Sequence, residues 1–242
     1  MKPFVTVITT TYYRPDFLER CILAVKKQTL QNYEHFIFSD HCPYAKVIYE
    51  KYKTDPRITF VENDKPHIVN DGAIGKRRGI EKAKSDIICY CDDDNILLPN
   101  HLETIYNNIG QYECIFTKFY HVPHVDRCKK EGTEFCFLSW LKKDMYDYSG
   151  HDGISWNDML TCGHKKNIVS KYGNWRAVSE NGGVHNEDGN LMYQWKCANM
   201  NIKYLDDITA IYNAHAGCVR TMESDKGAKQ KYMDYISIRY GN

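Results

Sequence analysis

Residues 86–94 read DIICYCDDD, an apolar run that leads directly into three consecutive acidic residues. A continuous apolar run of this length is typical of a strand buried on both faces of a parallel sheet. Ligands of such sheets bind beyond the carboxyl ends of the strands, so we expect Asp92, Asp93 and Asp94 at a ligand site. Their mutual repulsion favours a divalent cation such as Mn²⁺ or Mg²⁺. On an extended backbone, Asp92 and Asp94 would point to one side and Asp93 to the other.

The segments around this strand alternate between strand-like and helix-like patterns, which is typical of a parallel sheet covered by helices. Strands are predicted at residues 4–10, 33–39 and 57–61, and helices from residue 15 onward, at 44–52, at 75–84 and at 99–108. Residues 121–158 show no clear period, and we interpret this stretch as a lid or insertion. Helices are predicted again at 165–172 and 187–198, short strands at 203–205 and 208–212, and a helical tail at 223–240.

The composition indicates one globular domain without a strong overall charge. Of 242 residues, 43% are hydrophobic, and 32 basic residues face 31 acidic ones. This balance argues against nucleic acid as a partner, because nonspecific binding needs a dense basic face. The longest apolar runs are too short to span a bilayer, and no signal peptide is evident. The ten cysteines contain no C-x-x-C pair, which favours reduced thiols. We expect a soluble cytoplasmic protein, either free or peripheral to a membrane.

Polar residues also follow two other predicted strands. Thr9, Thr10, Thr11 and Tyr12 come after the first strand, and Asp40 comes after the second. Because the carboxyl ends of parallel strands meet at one edge of the sheet, we expect these side chains to line the same crevice as the acidic triplet.

Five motifs occur in one order along the chain: PFVTVITTTY at 3–12, SDH at 39–41, GKRRGIEKA at 75–83, DDDNILLP at 92–99, and GNW at 173–175 followed by Glu187-Asp188. In these motifs the sequence resembles the family 2 glycosyltransferases of the GT-A fold, over residues 3–217. The resemblance implies an α/β fold with a Rossmann-like, mostly parallel central sheet flanked by helices and a small antiparallel acceptor-side element. It also implies a domain at 1–217, whose nucleotide-sugar-binding half is 1–120 and acceptor half 121–217. Residues 218–242 would form a helical tail of the same domain.

The resemblance implies roles at the donor side of the site. Asp40 would bind the uracil ring, and residues Thr9, Thr10, Thr11 and Tyr12 would line the base pocket. Asp92 and Asp93 belong to the donor site, with Asp92 contacting the ribose or a metal-bound water. Asp94 would ligate Mn²⁺, or Mg²⁺, between the two phosphates, with Asp92 and His215 as further candidate ligands. Either Arg77 or Arg78 would hold the diphosphate.

On the acceptor side, the resemblance implies that Asp188 is the general base and that Glu187 orients the acceptor or the local backbone. Both residues also suit the first turn of a helix, where the macrodipole favours acids. The chain lacks the Gln-x-x-Arg-Trp signature of processive synthases.

The predicted function is a metal-dependent, inverting transfer of a sugar from a UDP-sugar to a hydroxyl of a glycan, lipid or protein acceptor. One alternative is a sugar-nucleotide binding protein without turnover. A second is a nucleotidyltransferase, which would need a Gly-rich, lysine-bearing phosphate loop after the first strand. Residues 9–14 read TTTYYR and do not form such a loop.

Overall fold

The computed structural model describes residues 2–63, 72–122, 146–147, 158–176, 180 and 187–213. The strands are β1 (Val5–Thr11), β2 (Tyr33–Ser39), β3 (Ile58–Glu62), β4 (Ile87–Tyr90), β5 (Ile96–Leu97), β6 (Cys114–Val122), β7 (Tyr146–Asp147), β8 (Cys162–Lys165) and β9 (Ile202–Asn213). The helices are α1 (Pro15–Lys26), α2 (Pro43–Glu50), α3 (Ala73–Lys82), α4 (His101–Ile109), α5 (Ile168–Tyr172) and α6 (Glu187–Cys197), and Met159–Thr161 forms a 3₁₀ turn. No helix in these ranges is long and apolar enough to cross a membrane.

One mixed sheet joins these strands in the order β3-β2-β1-β4-β8-β6-β9-β5, with β7 beside β6. Strands β1 to β4 are parallel, and α1, α2 and α3 connect them as parallel pairing requires. β8 runs antiparallel to both β4 and β6 and so links the two halves of the sheet. This topology confirms the predicted α/β fold with a Rossmann-like parallel half and an antiparallel element.

The predicted elements before residue 110 agree with the structure to within a few residues, whereas two predictions in the second half differ from it. Residues 162–165 form β8, and the helix predicted from residue 165 begins only at Ile168. The sequence Cys-Gly-His-Lys has no strand pattern, yet Gly163 fits beneath Ile105, where a Cβ atom would overlap the Ile105 side chain. The strands predicted at 203–205 and 208–212 are one strand, because pairing with β6 continues past the exposed Asp206 and Asp207 with irregular register.

The sequence patterns do not predict β5, β6 or β7. These strands are short or mix polar and apolar residues, so they lack a clear period of two. The helical tail predicted at 223–240 and most of the insertion at 121–158 lie outside the described residues. The cysteines within the described ranges are free thiols, as expected.

Close packing of α3 against the sheet places the candidate site. A Cβ atom on Gly79 would lie 2.7 Å from Ile8, and one on Gly75 would lie 2.7 Å from Thr10 and 3.0 Å from Phe38. These distances are shorter than real Cβ contacts, so larger residues would push the helix away from β1 and β2. The glycines therefore hold α3 directly beside the carboxyl end of β1.

Three histidines are buried inside the sheet layers. His35 bonds to Thr9 Oγ1 at 2.8 Å, and His101 Nδ1 lies 2.7 Å from Thr209 Oγ1. His164 Nε2 lies 2.8 Å from the Tyr90 hydroxyl. Burial lowers the pKa of His35 and His101 to about 3 and that of His164 to about 4, so all three rings are neutral at pH 7.

These buried rings predict a loss of stability in mild acid. The unfolded histidines titrate near 6.5 while the folded ones stay neutral, so stability is complete above pH 6.5 and falls as pH drops toward 4. We expect each ring to contribute roughly 2 kcal/mol to the loss between pH 7 and pH 5. Urea unfolding at the two pH values measures this loss. His101→Gln should reduce it by about one ring's share, whereas exposed His41→Asn should not. Equal losses in all three proteins would contradict the assignment.

Candidate active site

The acidic triplet forms a turn at the carboxyl end of β4. The Asn95 amide donates to the Asp92 carbonyl at 3.0 Å, so the backbone reverses direction here and does not continue as a strand. As a result Asp94 lies with Asp93 beside Arg14, and the predicted alternation of Asp92 and Asp94 against Asp93 is wrong. The error comes from extending strand geometry into a turn.

Arg14 compensates two of the three carboxylates. Its guanidinium lies 2.7 Å from Asp93 Oδ1 and 2.5 Å from Asp94 Oδ2. Asp93 is fully buried and also accepts a hydrogen bond from Thr11 Oγ1 at 2.7 Å. Burial raises the pKa of Asp93 to about 7, against the opposing effect of Arg14. Asp93 therefore anchors the turn to β1, while Asp94 stays at the surface of the crevice.

Lys76 of α3 lies at the centre of the site. Its side chain is only 7% exposed, and Nζ is 3.3 Å from Asp92 Oδ1 and 3.6 Å from Asp188 Oδ1. The ammonium also lies 4.2 Å from the centre of the Trp175 ring, a distance typical of a cation–π contact. One cation thus connects the end of β4 with the first turn of α6.

The charges around Lys76 perturb one another. Burial alone would lower the pKa of Lys76, but Asp188, Asp92, Glu187 and Asp158 outweigh it and raise that pKa. Partial burial raises the pKa of Asp188, and Lys76 opposes the change. Burial, together with the nearby Asp188, raises the pKa of Asp158 to about 8. Carboxyl groups with raised pKa values beside a crevice are candidates for proton transfer near neutral pH.

The predicted base pocket is only partly lined as expected. The Thr9 hydroxyl donates to the Cys91 carbonyl at 2.7 Å, so it serves the sheet. The Thr10 side chain lies beneath the start of α3. Tyr12 contacts Tyr13 edge to face, with ring centres 4.7 Å apart, and is half-buried. Burial, followed by Tyr13 and Asp40, raises the pKa of Tyr12, which is consistent with its lying near Asp40.

Asp40 and the two candidate arginines lie in different surroundings. Asn63 donates to Asp40 Oδ1 at 3.1 Å and accepts from Arg78 at 2.7 Å, so Arg78 belongs to the Asp40 side. Arg77 pairs with Glu180 at 2.8 Å, at the edge of a cavity of about 360 Å³. The diphosphate role of Arg77 or Arg78 stays a prediction, and Lys76 is the cation of this run that lies beside Asp92.

Sequence reasoning missed Lys76, Arg14 and Asp158 as members of this cluster. A helical projection could have found Lys76, because it shares the buried face of α3 with Ala73 and Ile80. The pattern around Arg14 indicates only that a helix begins at the next residue. Asp158 had no signal, since it ends the stretch without a period.

The residues fit a divalent cation in chemistry but do not form a closed cage. Asp92 Oδ1 is buried and accepts no hydrogen bond of good geometry from the described residues, although the Lys76 ammonium lies 3.3 Å away, and Asp94 is nearby in the same turn. Within the described part of the chain, no three His, Cys, Asp or Glu side chains converge on one point. Mg²⁺ and Mn²⁺ sites of phosphate-transferring enzymes often need only one or two carboxylates besides substrate phosphates. His215, the further candidate ligand, lies outside the described residues.

Comparison with known sequences decides the family. The model of glycosyl transferase family 2 matches residues 6–167, which is more than half of the chain. The chain belongs to this family. One relative of this family 2 glycosyltransferase is uncharacterized glycosyltransferase YwdF of Bacillus subtilis (strain 168). It is 24% identical over 239 residues, which cover 98% of this chain and 84% of the relative. Glycosyltransferase GlyG of Streptococcus pneumoniae serotype 4 is 21% identical over 234 residues, covering 93% and 75%.

Solved structures confirm the GT-A fold of the family 2 glycosyltransferase. TarS 1–349 of S. aureus in complex with UDP-GlcNAc matches with a TM-score of 0.64 at 13% identity, over 97% of this chain and 66% of that one. Mannosyltransferase PcManGT from Pyrobaculum calidifontis, in complex with GDP-Man and Mn²⁺, gives a TM-score of 0.61 at 13% identity, covering 100% and 66%. The chain thus spans just under two thirds of these solved chains.

Proposed function

We propose that this family 2 glycosyltransferase moves a sugar from a UDP-sugar to an acceptor hydroxyl, with inversion at the sugar carbon. One observation carries the proposal: Lys76 Nζ lies between Asp92 at the end of β4 and Asp188 at the start of α6. The first carboxylate lies where α/β sheets bind ligands. The second carboxylate, that of Asp188, comes from the half of the chain that the acceptor would approach. A donor group and a base therefore face the same space.

The donor role rests on the carboxyl ends of β1, β2 and β4. Asp40, supported by Asn63, would accept a hydrogen bond from a uracil N–H, and Tyr12 would flank the base. The uridine assignment draws support from TarS, whose structures hold UDP and UDP-GlcNAc. Because PcManGT holds GDP-Man, the test of the nucleotide compares uridine with guanosine diphosphate.

Asp94 and Asp92 would hold the divalent cation, Mn²⁺ or Mg²⁺. When bound, such an ion neutralises charge on the departing nucleoside diphosphate. The Mn²⁺ of PcManGT and the carboxylates of the turn support this role. Asp92 is the more exposed of the two side chains, at 31% against 15%, but its Oδ1 already lies 3.3 Å from the Lys76 ammonium. Asp94 could turn to a cation at less cost, because Arg14 retains Asp93 as a partner.

Asp188 would take the proton of the acceptor hydroxyl as its oxygen bonds to the sugar carbon. The acceptor oxygen would attack from the face opposite the diphosphate, and the bond from the sugar carbon to the diphosphate oxygen would break with its electron pair on the leaving group. This displacement from the opposite face gives inversion. A carboxyl of raised pKa is suited to this step near neutral pH. Glu187 precedes it in the first turn of α6 and would orient the acceptor or the helix start.

The proposal extends to the organisation of the chain. Residues 1–120 would form the donor half, 121–217 the acceptor half and 218–242 a helical tail of the same domain. The acceptor would be a glycan, lipid or protein, met in the cytoplasm or at a membrane surface.

A nucleotide panel tests the proposal. Thermal unfolding with UDP, GDP, CDP and dTDP, each with and without Mn²⁺, should show stabilisation by UDP that requires Mn²⁺. At about 100 times the dissociation constant, the gain should be about 2.7 kcal/mol. Release of UDP from UDP-sugars then measures turnover. Equal stabilisation by all four nucleotides would overturn the uridine assignment, and binding without turnover would favour a binding protein.

A further inference from the structure

Lys76 is held in one position by its surroundings. The helix that carries it, α3, lies directly on β1 and β2 because Gly75 and Gly79 have no Cβ atom to separate them. The ring of Trp175, itself 1% exposed, lies beneath the ammonium. A lysine enclosed in this way has lost the freedom that usually makes its side chain mobile, so its charge is fixed in space.

The two carboxylates that Lys76 contacts come from elements far apart in the sequence. Asp92 follows β4 in the donor half, and Asp188 begins α6 in the acceptor half. Among the described residues, no other cation forms ion pairs with both of these carboxylates. Within the described residues, the cation that contacts both carboxylates is the Lys76 ammonium, 3.3 Å from the first and 3.6 Å from the second.

Removing this cation would leave like charges facing one another. Asp92 and Asp188 would then face each other across a poorly solvated space without an opposite charge between them, and the first turn of α6 would be the element free to move. Such a movement would carry the Asp188 carboxylate away from the acceptor hydroxyl. A displacement of about 1 Å is enough to cost a hundredfold in rate.

We propose that Lys76 is a positioning residue, which acts through Asp188 by holding its carboxylate at a fixed place relative to Asp92 and the donor. The inference rests on the proposed function, since it takes Asp188 as the base. It assigns Lys76 a role in aligning the two halves of the site, separate from any hold on the diphosphate.

Steady-state kinetics of six proteins test this role: wild type, Lys76→Met, Lys76→Arg, Asp188→Asn, the double variant Lys76→Met/Asp188→Asn, and the control Lys82→Met. Lys76→Met should lower kcat by at least about a hundredfold while the dissociation constant for UDP with Mn²⁺ changes less than about threefold. Lys76→Arg, which keeps the charge, should recover at least about a tenth of the wild-type kcat. Exposed Lys82→Met on the same helix should match the wild type.

The double variant separates action through Asp188 from independent action. If Lys76 acts through Asp188, the double variant has the same residual kcat as Asp188→Asn alone. Multiplying effects would overturn the inference, and so would an equal loss of UDP affinity and kcat in Lys76→Met, which would make Lys76 a donor ligand.

Stability provides a second measurement if Lys76→Met folds poorly. The double variant, which removes one charge from each side of the pair, should melt at a higher temperature than Lys76→Met. Equal melting temperatures would overturn the pairing. Full activity of Asp188→Asn would instead overturn the proposed function, whereas an active Lys76→Met beside an inactive Asp188→Asn would overturn only the role of Lys76.

Discussion

Asp188→Asn is expected to lower sugar transfer by roughly 10²- to 10⁴-fold, the usual contribution of a general base. Asparagine keeps the shape of the side chain but cannot take a proton. It also removes one negative charge from the cluster around Lys76, so the fold should not suffer. Initial rates of UDP release, measured at saturating donor and acceptor, give the loss in kcat.

Donor binding separates chemistry from folding in this variant. The stabilisation by UDP with Mn²⁺ should equal that of the wild type, because Asp188 lies in α6 and the donor groups lie at the ends of β1, β2 and β4. Glu187→Gln is the matched control, since it changes the neighbouring carboxyl in the same turn and should retain more than about a tenth of the activity. If Asp188→Asn lost UDP binding and transfer to the same extent, Asp188 would be structural.

Asp94→Ala is expected to abolish the Mn²⁺-dependent part of UDP binding and to lower transfer at least about a hundredfold. The variant should fold, because Arg14 still has Asp93 as its partner at 2.7 Å. Thermal unfolding with UDP, with and without Mn²⁺, measures the first effect. The stabilisation of about 2.7 kcal/mol expected at saturation should fall close to zero.

The exposed Asp207 on β9 provides the control for Asp94. Asp207→Ala removes an exposed carboxylate of the same type that lies outside the acidic turn, and its response to UDP and Mn²⁺ should be that of the wild type. A wild-type response of Asp94→Ala would mean that the cation, if it binds, is held elsewhere.

The sequence predicts the first half of the fold well because local patterns and tertiary packing agree there. The buried face of α1 contains Phe17, Leu18, Cys21, Ile22 and Val25, the residues whose spacing predicts the helix. β2 has the predicted bounds of 33–39. The triplet at the end of β4 was found because its acidic residues follow an uninterrupted apolar run.

The arrangement within the site was harder to predict, because it depends on contacts between residues distant in sequence. In the sequence, Lys76 is one member of a basic run, and only the packing of α3 on the sheet distinguishes it from Arg77 and Arg78. The turn from Asp92 to Asn95 is closed by a backbone hydrogen bond, which no residue pattern predicts. β8 was missed for a similar reason, since a tetrapeptide with Gly163 and His164 becomes a strand only between β4 and β6.

Arg14 affects how the stability of this protein would respond when the metal ion is scarce. Because its guanidinium contacts both Asp93 and Asp94, it relieves part of the repulsion within the acidic turn without a metal ion. We therefore expect the newly made chain to form this turn before it binds either ion or nucleotide sugar. Under the proposed function, depletion of the metal ion would then inactivate the enzyme without unfolding it or exposing it to proteolysis. Activity would return once the ion is supplied.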